Sequence, residues 1–331
     1  MTKYTHLTQD ERYQIHGLRA RGFSGKDIAE ELKRSRSAIS RELKRNAIDG
    51  QWTPGRAHKA AQARRNNSCN ARRVSEADWS AVADYIRLDC SPQQAIARLE
   101  LEGTPVAISH ETVYQRIYAD KRNKGDLIKH LRCQKIYRKR YGSGKQRRGS
   151  SIKNRVSIDE RPDIVTQKSR IGDWEGDTVI GKNQQGAVVT LVERFSRYTL
   201  ARRVDSKRAS VVGAVIASLL KPHKAQCHTI TFDNGTEFAG HATIAAQLQT
   251  AVYFAHPYHS WERGLNENTN GLLRQYHPKK TNFKHVSHAQ IIRTVHKLNH
   301  RPRKCLGYRT PHEIFFGLNI LPLKTQFNCA S

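Results

Sequence analysis

The sequence is poor in acidic residues and has no long apolar run. Its 331 residues include 29 Asp and Glu against 58 Lys and Arg, which gives a formal net charge of +29. No stretch approaches the about 20 apolar residues of a membrane span, and the first residues form no apolar signal region. These absences predict a cytoplasmic protein. The excess of positive charge predicts a large nucleic-acid-binding surface, although a ribosomal-type basic protein has a similar charge balance.

Cysteine is scarce and dispersed. The six cysteines lie at positions 69, 90, 133, 227, 305 and 329, and no two of them form a C-x-x-C pair. This spacing argues against a disulfide framework and against a zinc ribbon. A reducing compartment is therefore expected, in agreement with a cytoplasmic location.

The N-terminal segment, residues 1–48, has the pattern of a helix-turn-helix domain. Thr8 and Glu11 form a capping box before the first helix, Gly22 ends that helix, and Leu43 belongs to the apolar face of a third. The other face of the third helix carries basic and hydroxyl side chains: Arg36, Ser37, Ser40, Arg41, Lys44 and Arg45. Such side chains suit a helix that reads the major groove of DNA. A packing module with a solvated basic face is the alternative.

The next two segments are also predicted to be helical. Residues 49–80, with Trp52 and several alanines, are interpreted as a basic helical connector. In residues 81–120, Ser91 followed by proline and then Ser109 give two further helix starts. This pattern predicts a second helix-turn-helix with four exposed candidates for DNA contact: His110, Thr112, Gln115 and Arg116. A helical spacer without DNA contacts explains the same pattern.

Residues 121–163 are predicted to be a flexible basic linker. Between positions 121 and 155 there are 14 Lys or Arg and a single acid, Asp126. The Gly- and Ser-broken part around Arg138, Lys139 and Arg140 has no apolar periodicity. Such a segment is expected to contact phosphates without preference for base sequence. A solvated tether is the alternative.

Residues 164–320 alternate between strand and helix patterns, and residues 321–331 are left as a tail. Three strands are predicted in a meander, and helices then alternate with two shorter strands. This order predicts a mixed α/β sheet. In sheets of this kind the active site collects where strand ends meet a helix.

Acidic side chains in this region occupy positions that suit a metal site. Asp173, Glu175 and Asp177 alternate along one strand and share a face, so periodicity does not choose between them. Asp233 ends a buried strand, where capping a turn is an alternative role. Mg²⁺ binds carboxylate oxygens and substrate phosphates, so in a basic chain these acids suggest metal-dependent chemistry on nucleic acid.

A third acidic segment opens a polar helix. Glu267 shares a helical face with Asn270 and Arg274, whereas Glu262 precedes the break at Gly264. Glu237, four residues after Asp233, is a further competitor. Three histidines in the same region, 256, 259 and 277, are interpreted as packing or surface residues, with DNA steering or proton transfer as the alternative.

Three motifs together resemble bacterial insertion-sequence transposases of the DDE type, and in particular the insertion sequence 30 family. They are W-E-G-D at 174–177, D-N-G-T-E-F at 233–238 and E-R-G-L-N-E-N-T-N-G-L-L-R-Q-Y at 262–276. The resemblance covers nearly the whole chain, including R-P-R-K-x-L-G-Y-x-T-P at 301–311. It implies an RNase H-like catalytic core of the retroviral-integrase type, preceded by all-α helix-turn-helix domains.

The resemblance also implies a catalytic and metal-binding triad of Asp177, Asp233 and Glu267. The triad would hold two Mg²⁺ ions roughly 3.5–4 Å apart, with Mn²⁺ able to substitute. The implied activity is cleavage and strand transfer at terminal inverted repeats, on double-stranded DNA that includes a target. Arg274 is a candidate DNA contact, a homodimer or higher oligomer on DNA is expected, and the location is the bacterial cytoplasm in association with the nucleoid.

Two other classes of protein share part of this pattern. A non-catalytic helix-turn-helix regulator would bind DNA without needing the carboxylates. An integrase or nuclease would share the core, although a retroviral-type integrase would carry an N-terminal His₂Cys₂ zinc module, which the sequence lacks. Mg²⁺-dependent cutting and joining distinguishes these classes from a transposase.

Overall fold

The computed structural model describes residues 6–47, 50–66, 74–132, 152–257 and 259–328. The chain forms two compact units, residues 1–73 and 74–331, a coarser division than the six segments predicted from the sequence. Among the described residues no helix is both long enough and apolar enough to cross a bilayer.

The first unit consists of four helices. They are α1 (Gln9–Ala20), α2 (Gly25–Glu31), α3 (Arg36–Arg45) and α4 (Pro54–Asn66). The hydroxyls of Thr8 and Ser24 cap α1 and α2 in capping boxes, and Ser35 caps α3. Gly22 follows the end of α1 with φ +87°, a conformation that favours glycine. The local signals in the sequence therefore set the helix boundaries of the predicted helix-turn-helix.

The core of the first unit explains why α4 belongs to it. Ile15, Ile28 and Ile39 from the first three helices are buried together with Trp52 and Ala57. The segment predicted to connect domains therefore begins as a fourth helix that packs against α1. Apolar burial of this kind is the main favourable contribution to packing.

The second unit opens with three helices, α5 (Glu76–Arg87), α6 (Pro92–Leu101) and α7 (His110–Arg122). Their shared core contains Val82, Ile86, Val113 and Ile117. It also buries side chains from two segments predicted to lie outside it: Leu127, Leu131 and Leu323. Residues 121–132 of the predicted linker and 321–328 of the predicted tail therefore join this unit, because each supplies apolar side chains that the small helical core covers.

A five-stranded sheet forms the centre of the second unit. Its strands are β1 (Asp173–Ile180), β2 (Ala187–Glu193), β3 (Thr199–Val204), β4 (Thr229–Phe232) and β5 (Ala251–Phe254). The order across the sheet is β3-β2-β1-β4-β5. The first three strands are antiparallel neighbours, whereas β1, β4 and β5 run parallel. The predicted meander followed by alternating helices and strands is confirmed.

Helices cover both faces of this sheet. The remaining helices are α8 (Asp163–Gln167), α9 (Ala209–Leu220), α10 (His241–Leu248), α11 (Gly264–Tyr276), α12 (His288–Asn299), α13 (Pro311–Phe315) and α14 (Leu323–Asn328). On one face, Val212 and Ile244 of α9 and α10 join the core that contains Leu191. On the other, Leu272 of α11 and Ile291 of α12 lie in a separate core. The sheet is thus a buried middle layer, and α11 crosses the face that carries the acidic motifs.

Candidate active site

Asp177 lies on β1, and Asp233 directly follows the neighbouring parallel strand β4. β1 pairs with β4 in a register that sets Glu175 beside Thr231, and two further residues along that register bring Asp177 beside Asp233. Because side chains alternate along a strand, the two aspartates share a face of the sheet. Both contact the same cation, the guanidinium of Arg263.

Asp177 is held in a defined orientation. The backbone N–H of Thr178 donates to its Oδ1 at 2.8 Å, and Nδ2 of Asn270 donates to its Oδ2 at 2.8 Å. Burial raises the pKa of Asp177 to about 6; the negative charge of Asp233 adds to the rise and Arg263 opposes it. A carboxylate in this environment is stabilised by a nearby cation.

Arg263 supplies that cation in the structure. Its Nη2 lies 3.2 Å from Oδ2 of Asp233, and its Nη1 lies 3.9 Å from Oδ2 of Asp177. Nη1 also donates to the carbonyl of Gly176 at 3.3 Å. Its Nε is buried and has no hydrogen-bond partner among the described residues. The guanidinium is therefore held mainly by the two aspartates.

The other two acids of β1 are neutralised inside the protein. Asp173 is fully buried, and its Oδ2 accepts a hydrogen bond from Nε of Arg170 at 2.9 Å. Glu175 is also buried, is paired with Arg194, and accepts the backbone N–H of Asn266 at 3.2 Å. The Asp177 side chain is 21% exposed, against 0% for Asp173 and 1% for Glu175. The ion pairs of Asp173 and Glu175 and the greater exposure of Asp177 therefore favour Asp177 as the metal ligand of β1, a choice that strand periodicity does not make.

Glu267 is exposed in the first turn of α11. It lines an open depression with Thr178, Asn270 and Arg274. In the described part of the chain it forms no hydrogen bond or ion pair, and the structure does not join it to Asp177 and Asp233 in one close ligand cluster. Three carboxylates repel one another when no cation neutralises them, which is a physical reason for this separation.

The two competing glutamates have other partners. Glu237 accepts the hydroxyl of Thr178 at 2.6 Å. Glu262 accepts the backbone N–H of His256 at 2.9 Å, and its other oxygen lies 2.8 Å from Nδ1 of the same residue. Of the three glutamates, Glu267 is thus the one whose carboxylate has no hydrogen-bond or ion-pair partner among the described residues.

The predicted recognition helix exposes its polar face. Ile39 and Glu42 point into the first unit, and Glu42 is paired with Arg12 there. The six predicted DNA-contact side chains of α3 are exposed: Arg36, Ser37, Ser40, Arg41, Lys44 and Arg45. Arg41 also donates to the carbonyl of Ser37 at 3.0 Å, which aligns its guanidinium along the helix.

The four predicted DNA-contact side chains of α7 differ in exposure and in the contacts that they already make within the protein. His110 and Gln115 are exposed, whereas Thr112 lies 2.9 Å from the capping hydroxyl of Ser109. The guanidinium carbon of Arg116 lies 5.1 Å from the centre of the Trp79 ring, and its Nη1 lies 3.7 Å from Oε1 of Glu76. Part of the predicted contact surface therefore packs α7 against α5.

Arg274 lines the depression beside Glu267, but its guanidinium donates hydrogen bonds to backbone carbonyls of the protein. Its Nη2 donates to the carbonyl of Ile180 at 2.9 Å, and its guanidinium is 5.6 Å from the centre of the Phe283 ring. Burial lowers its pKa. Its DNA contact stays a prediction, as do those of Arg138, Lys139 and Arg140, which lie outside the described residues.

Two features of the site were missed in the sequence. Arg263 stands inside the third motif, yet nothing in its spacing indicates that it reaches Asp177 and Asp233. The sequence predicts packing or surface roles for His256 and His259; in the structure the two histidines also form a close cluster with Glu262. Their spacing of three residues was the available signal. His277 is a packing residue, buried and 2.9 Å from the Thr294 hydroxyl.

Two family models match parts of the chain. Residues 3–46 match the family described as a helix-turn-helix domain, and residues 168–260 match the integrase core domain. Among solved structures, the chain is similar to the catalytic core domain of BIV integrase. The two are 21% identical with a TM-score of 0.36, over 44% of this chain and 93% of that one.

Curated relatives cover almost the full length. The chain is 44% identical to the transposase for insertion sequence element IS4351 of Bacteroides fragilis, over 94% of this chain and 95% of that protein. It is 34% identical to the transposase InsI for insertion sequence element IS30C of Escherichia coli strain K12, over 93% of this chain and 83% of that protein. Its helix-turn-helix domain indicates DNA binding, and an integrase core in general depends on divalent metal. The resemblance of the motifs is thus confirmed: the chain is a polynucleotidyl transferase and belongs to the insertion sequence 30 family of transposases.

Proposed function

We propose that this transposase binds the terminal inverted repeats of an insertion sequence and cuts and joins DNA with two Mg²⁺ ions. Asp177, Asp233 and Glu267 are the proposed ligands. The observation that carries the proposal is that Asp177 on β1 and Asp233 directly after β4 together hold one cationic group, Arg263. Assembly of two or more copies on DNA is part of the proposal.

The donor set fits a divalent cation. Asp177 and Asp233 offer carboxylate oxygens, which Mg²⁺ prefers, and a guanidinium already occupies the space between them. The raised pKa of Asp177 reflects a buried negative charge that a cation stabilises. When bound, two ions would activate the attacking hydroxyl or water and stabilise the leaving oxygen.

Residues of the chain orient these ligands. Asn270 and the N–H of Thr178 each donate to one oxygen of Asp177, which fixes the carboxylate and leaves each oxygen a further lone pair for a cation. The backbone N–H of Gly235 does the same for Oδ1 of Asp233 at 3.0 Å. Glu267 lies on the neighbouring helix and would complete the set when metal and a DNA phosphate neutralise the three carboxylates.

DNA recognition is assigned to the exposed face of α3. Serine hydroxyls and guanidinium groups there can contact both base edges and phosphates. The net charge of +29 would add affinity for any DNA through counterion release. The repeat sequence is thus read by one helix, while most of the affinity is nonspecific.

The test is a reaction with labelled DNA. The full chain is incubated with Mg²⁺ and DNA that carries candidate inverted repeats, and the cut and joined products are sequenced. Cuts at the repeat ends followed by joining to a second DNA are expected, with loss of both in a chelator. Cutting without joining would indicate a nuclease instead, and binding without cutting would indicate a regulator.

A further inference from the structure

Three metal-ligand side chains cluster outside the aspartate pair. In the described ranges of the chain, His256, His259 and Glu262 are the only three His, Cys, Asp or Glu residues whose ligand atoms all lie within 4.8 Å of one another. They follow one another at intervals of three residues, in the segment between β5 and α11. The two imidazole rings have centroids 5.4 Å apart.

His256 lies between two carboxylates. Its Nε2 is 2.8 Å from Oδ2 of Asp159, and its Nδ1 is 2.8 Å from Oε1 of Glu262. A carboxylate accepts but does not donate, so both ring nitrogens carry protons in this arrangement. A divalent ion can replace the proton between Nδ1 and Glu262, since metal binding to histidine displaces a proton. The Asp159 bond would then fix the ring.

His259 has a similar arrangement at its ring. Its Nδ1 lies 2.9 Å from the carbonyl oxygen of Pro257. A carbonyl only accepts, so Nδ1 carries the hydrogen and Nε2 keeps a free lone pair. With an ion in place of the proton between His256 and Glu262, each imidazole would keep one nitrogen on an oxygen acceptor, Asp159 for His256 and Pro257 for His259. This is the usual outer-shell arrangement of metal-binding histidines, which fixes the ring and its tautomer.

We propose that His256, His259 and Glu262 form a site for a transition-metal ion of the Zn²⁺ class, separate from the Mg²⁺ site. Two imidazole nitrogens and a carboxylate suit Zn²⁺ or Co²⁺, with a fourth position left for water. Mg²⁺ prefers oxygen ligands alone and is a poor match for this set.

The bound ion would fix the chain that leads to the active site. Glu262 directly precedes Arg263, and α11 with Glu267 begins at the next residue. Ligands from both ends of the segment 256–262 would hold the turn closed around the metal. The ion is a structural one in this proposal, and it orients Arg263 and the first turn of α11 without contacting DNA.

Cobalt(II) reports such a site by its visible absorption. The full chain, free of any histidine tag, is titrated with Co²⁺ in excess Mg²⁺, which saturates oxygen-only sites. One equivalent of Co²⁺ is expected to give visible d–d bands of a four- or five-coordinate ion, and one equivalent of Zn²⁺ is expected to abolish them. Octahedral, water-like absorption or no saturable binding would overturn the proposal.

Variants distinguish this site from other metal binding. His259→Gln should remove the bands, and Asp159→Asn should weaken Co²⁺ binding by about 10–100-fold, because it removes only the group that fixes His256. His288→Gln is the matched control, an exposed histidine at the start of α12. Circular dichroism verifies folding of each variant. Bands that survive in His259→Gln, or that vanish equally in His288→Gln, would refute the assignment.

Discussion

The guanidinium of Arg263 lies where the proposed metal ions would bind. Its contacts with Asp177 and Asp233, at 3.9 and 3.2 Å, neutralise two carboxylates that would otherwise repel each other. A metal ion and Arg263 cannot use the same oxygens at full strength. Arg263 is therefore expected to compete with metal, and to withdraw when the ion binds.

Arg263→Gln should strengthen metal binding. An ion pair of this exposure contributes on the order of 1 kcal/mol, so its removal should raise Mn²⁺ affinity about fivefold in the absence of DNA. The measurement is a Mn²⁺ titration followed by electron paramagnetic resonance, in Zn²⁺-saturated protein. Arg293→Gln, at an exposed position on α12, is the control and should leave the affinity unchanged. Weaker Mn²⁺ binding in Arg263→Gln would show that Arg263 supports the site.

At the residue scale, the sequence identifies the candidate acids of β1, but its periodicity does not choose among them. Asp173, Glu175 and Asp177 are equivalent in strand periodicity, and the choice of Asp177 came from the family resemblance. What distinguishes them physically is the partner of each: Arg170 for Asp173 and Arg194 for Glu175. Arg194 is far from Glu175 in sequence, and only the folded sheet brings the two together.

The element that reads DNA is proposed to be α3. Arg36→Ala or Arg41→Ala should weaken binding to the repeat ends by about 1–3 kcal/mol while leaving affinity for random DNA nearly intact, because a base-edge arginine acts at one position. Competition binding with end and random DNA measures both. Arg21→Ala, exposed beyond the end of α1, is the control. Equal losses on both DNAs would assign these arginines to phosphate contacts.

A buried ion pair joins α6 to α13. Nη1 of Arg98 donates to Glu313 at 2.8 Å, and both side chains are almost fully buried. Glu313→Gln should lower the free energy of unfolding by about 1–3 kcal/mol, because it removes one of the two buried carboxylates paired with Arg98 and leaves Glu102 as the other. Denaturant unfolding at neutral pH measures this loss, and Glu111→Gln, at an exposed site of α7, should show none.

The same pair predicts a dependence on pH. Burial alone would raise the pKa of Glu313, but hydrogen bonds from Arg98 and Thr310 outweigh it and lower the pKa. A lowered folded-state pKa gives stability that is present above the unfolded value of about 4.3 and lost as pH falls through the folded value. The difference between wild type and Glu313→Gln should therefore shrink in acid. A constant difference down to low pH would contradict this pairing.

At the element scale, local signals predicted most of the fold. The capping boxes, the strand periodicity and the order of strands and helices are properties of short segments, and the structure confirms them. The high positive charge of residues 121–132 predicts part of a linker, and residues 321–331 are predicted to be a tail because they match no motif. The burial of Leu127, Leu131 and Leu323 depends on partners elsewhere in the chain, so local composition did not reveal it.

Charge acts at the scale of the whole molecule. Neutralising Arg138, Lys139 and Arg140 together should lower affinity for any DNA and reduce the slope of log affinity against log salt. Each lost phosphate contact changes that slope by about 0.9. Salt titrations on random DNA measure it, and Arg87→Ala, an exposed position of α5, is the control. An unchanged slope would make this stretch a tether.

The central claim is that three carboxylates bind the catalytic metal, and the most direct test compares DNA cutting with DNA binding in their amide variants. Asp177→Asn, Asp233→Asn and Glu267→Gln keep the size of each side chain but remove the charge that holds a divalent ion. The control is Asp205→Asn, whose side chain is 73% exposed and paired with Arg203. Mg²⁺-dependent cleavage of repeat ends should be lost in all three variants and kept in the control, while end binding persists in all four. Cleavage at a near wild-type rate in Asp177→Asn, together with its loss in Asp173→Asn, would contradict the assignment on β1, and unchanged cleavage in all three variants would contradict the account as a whole.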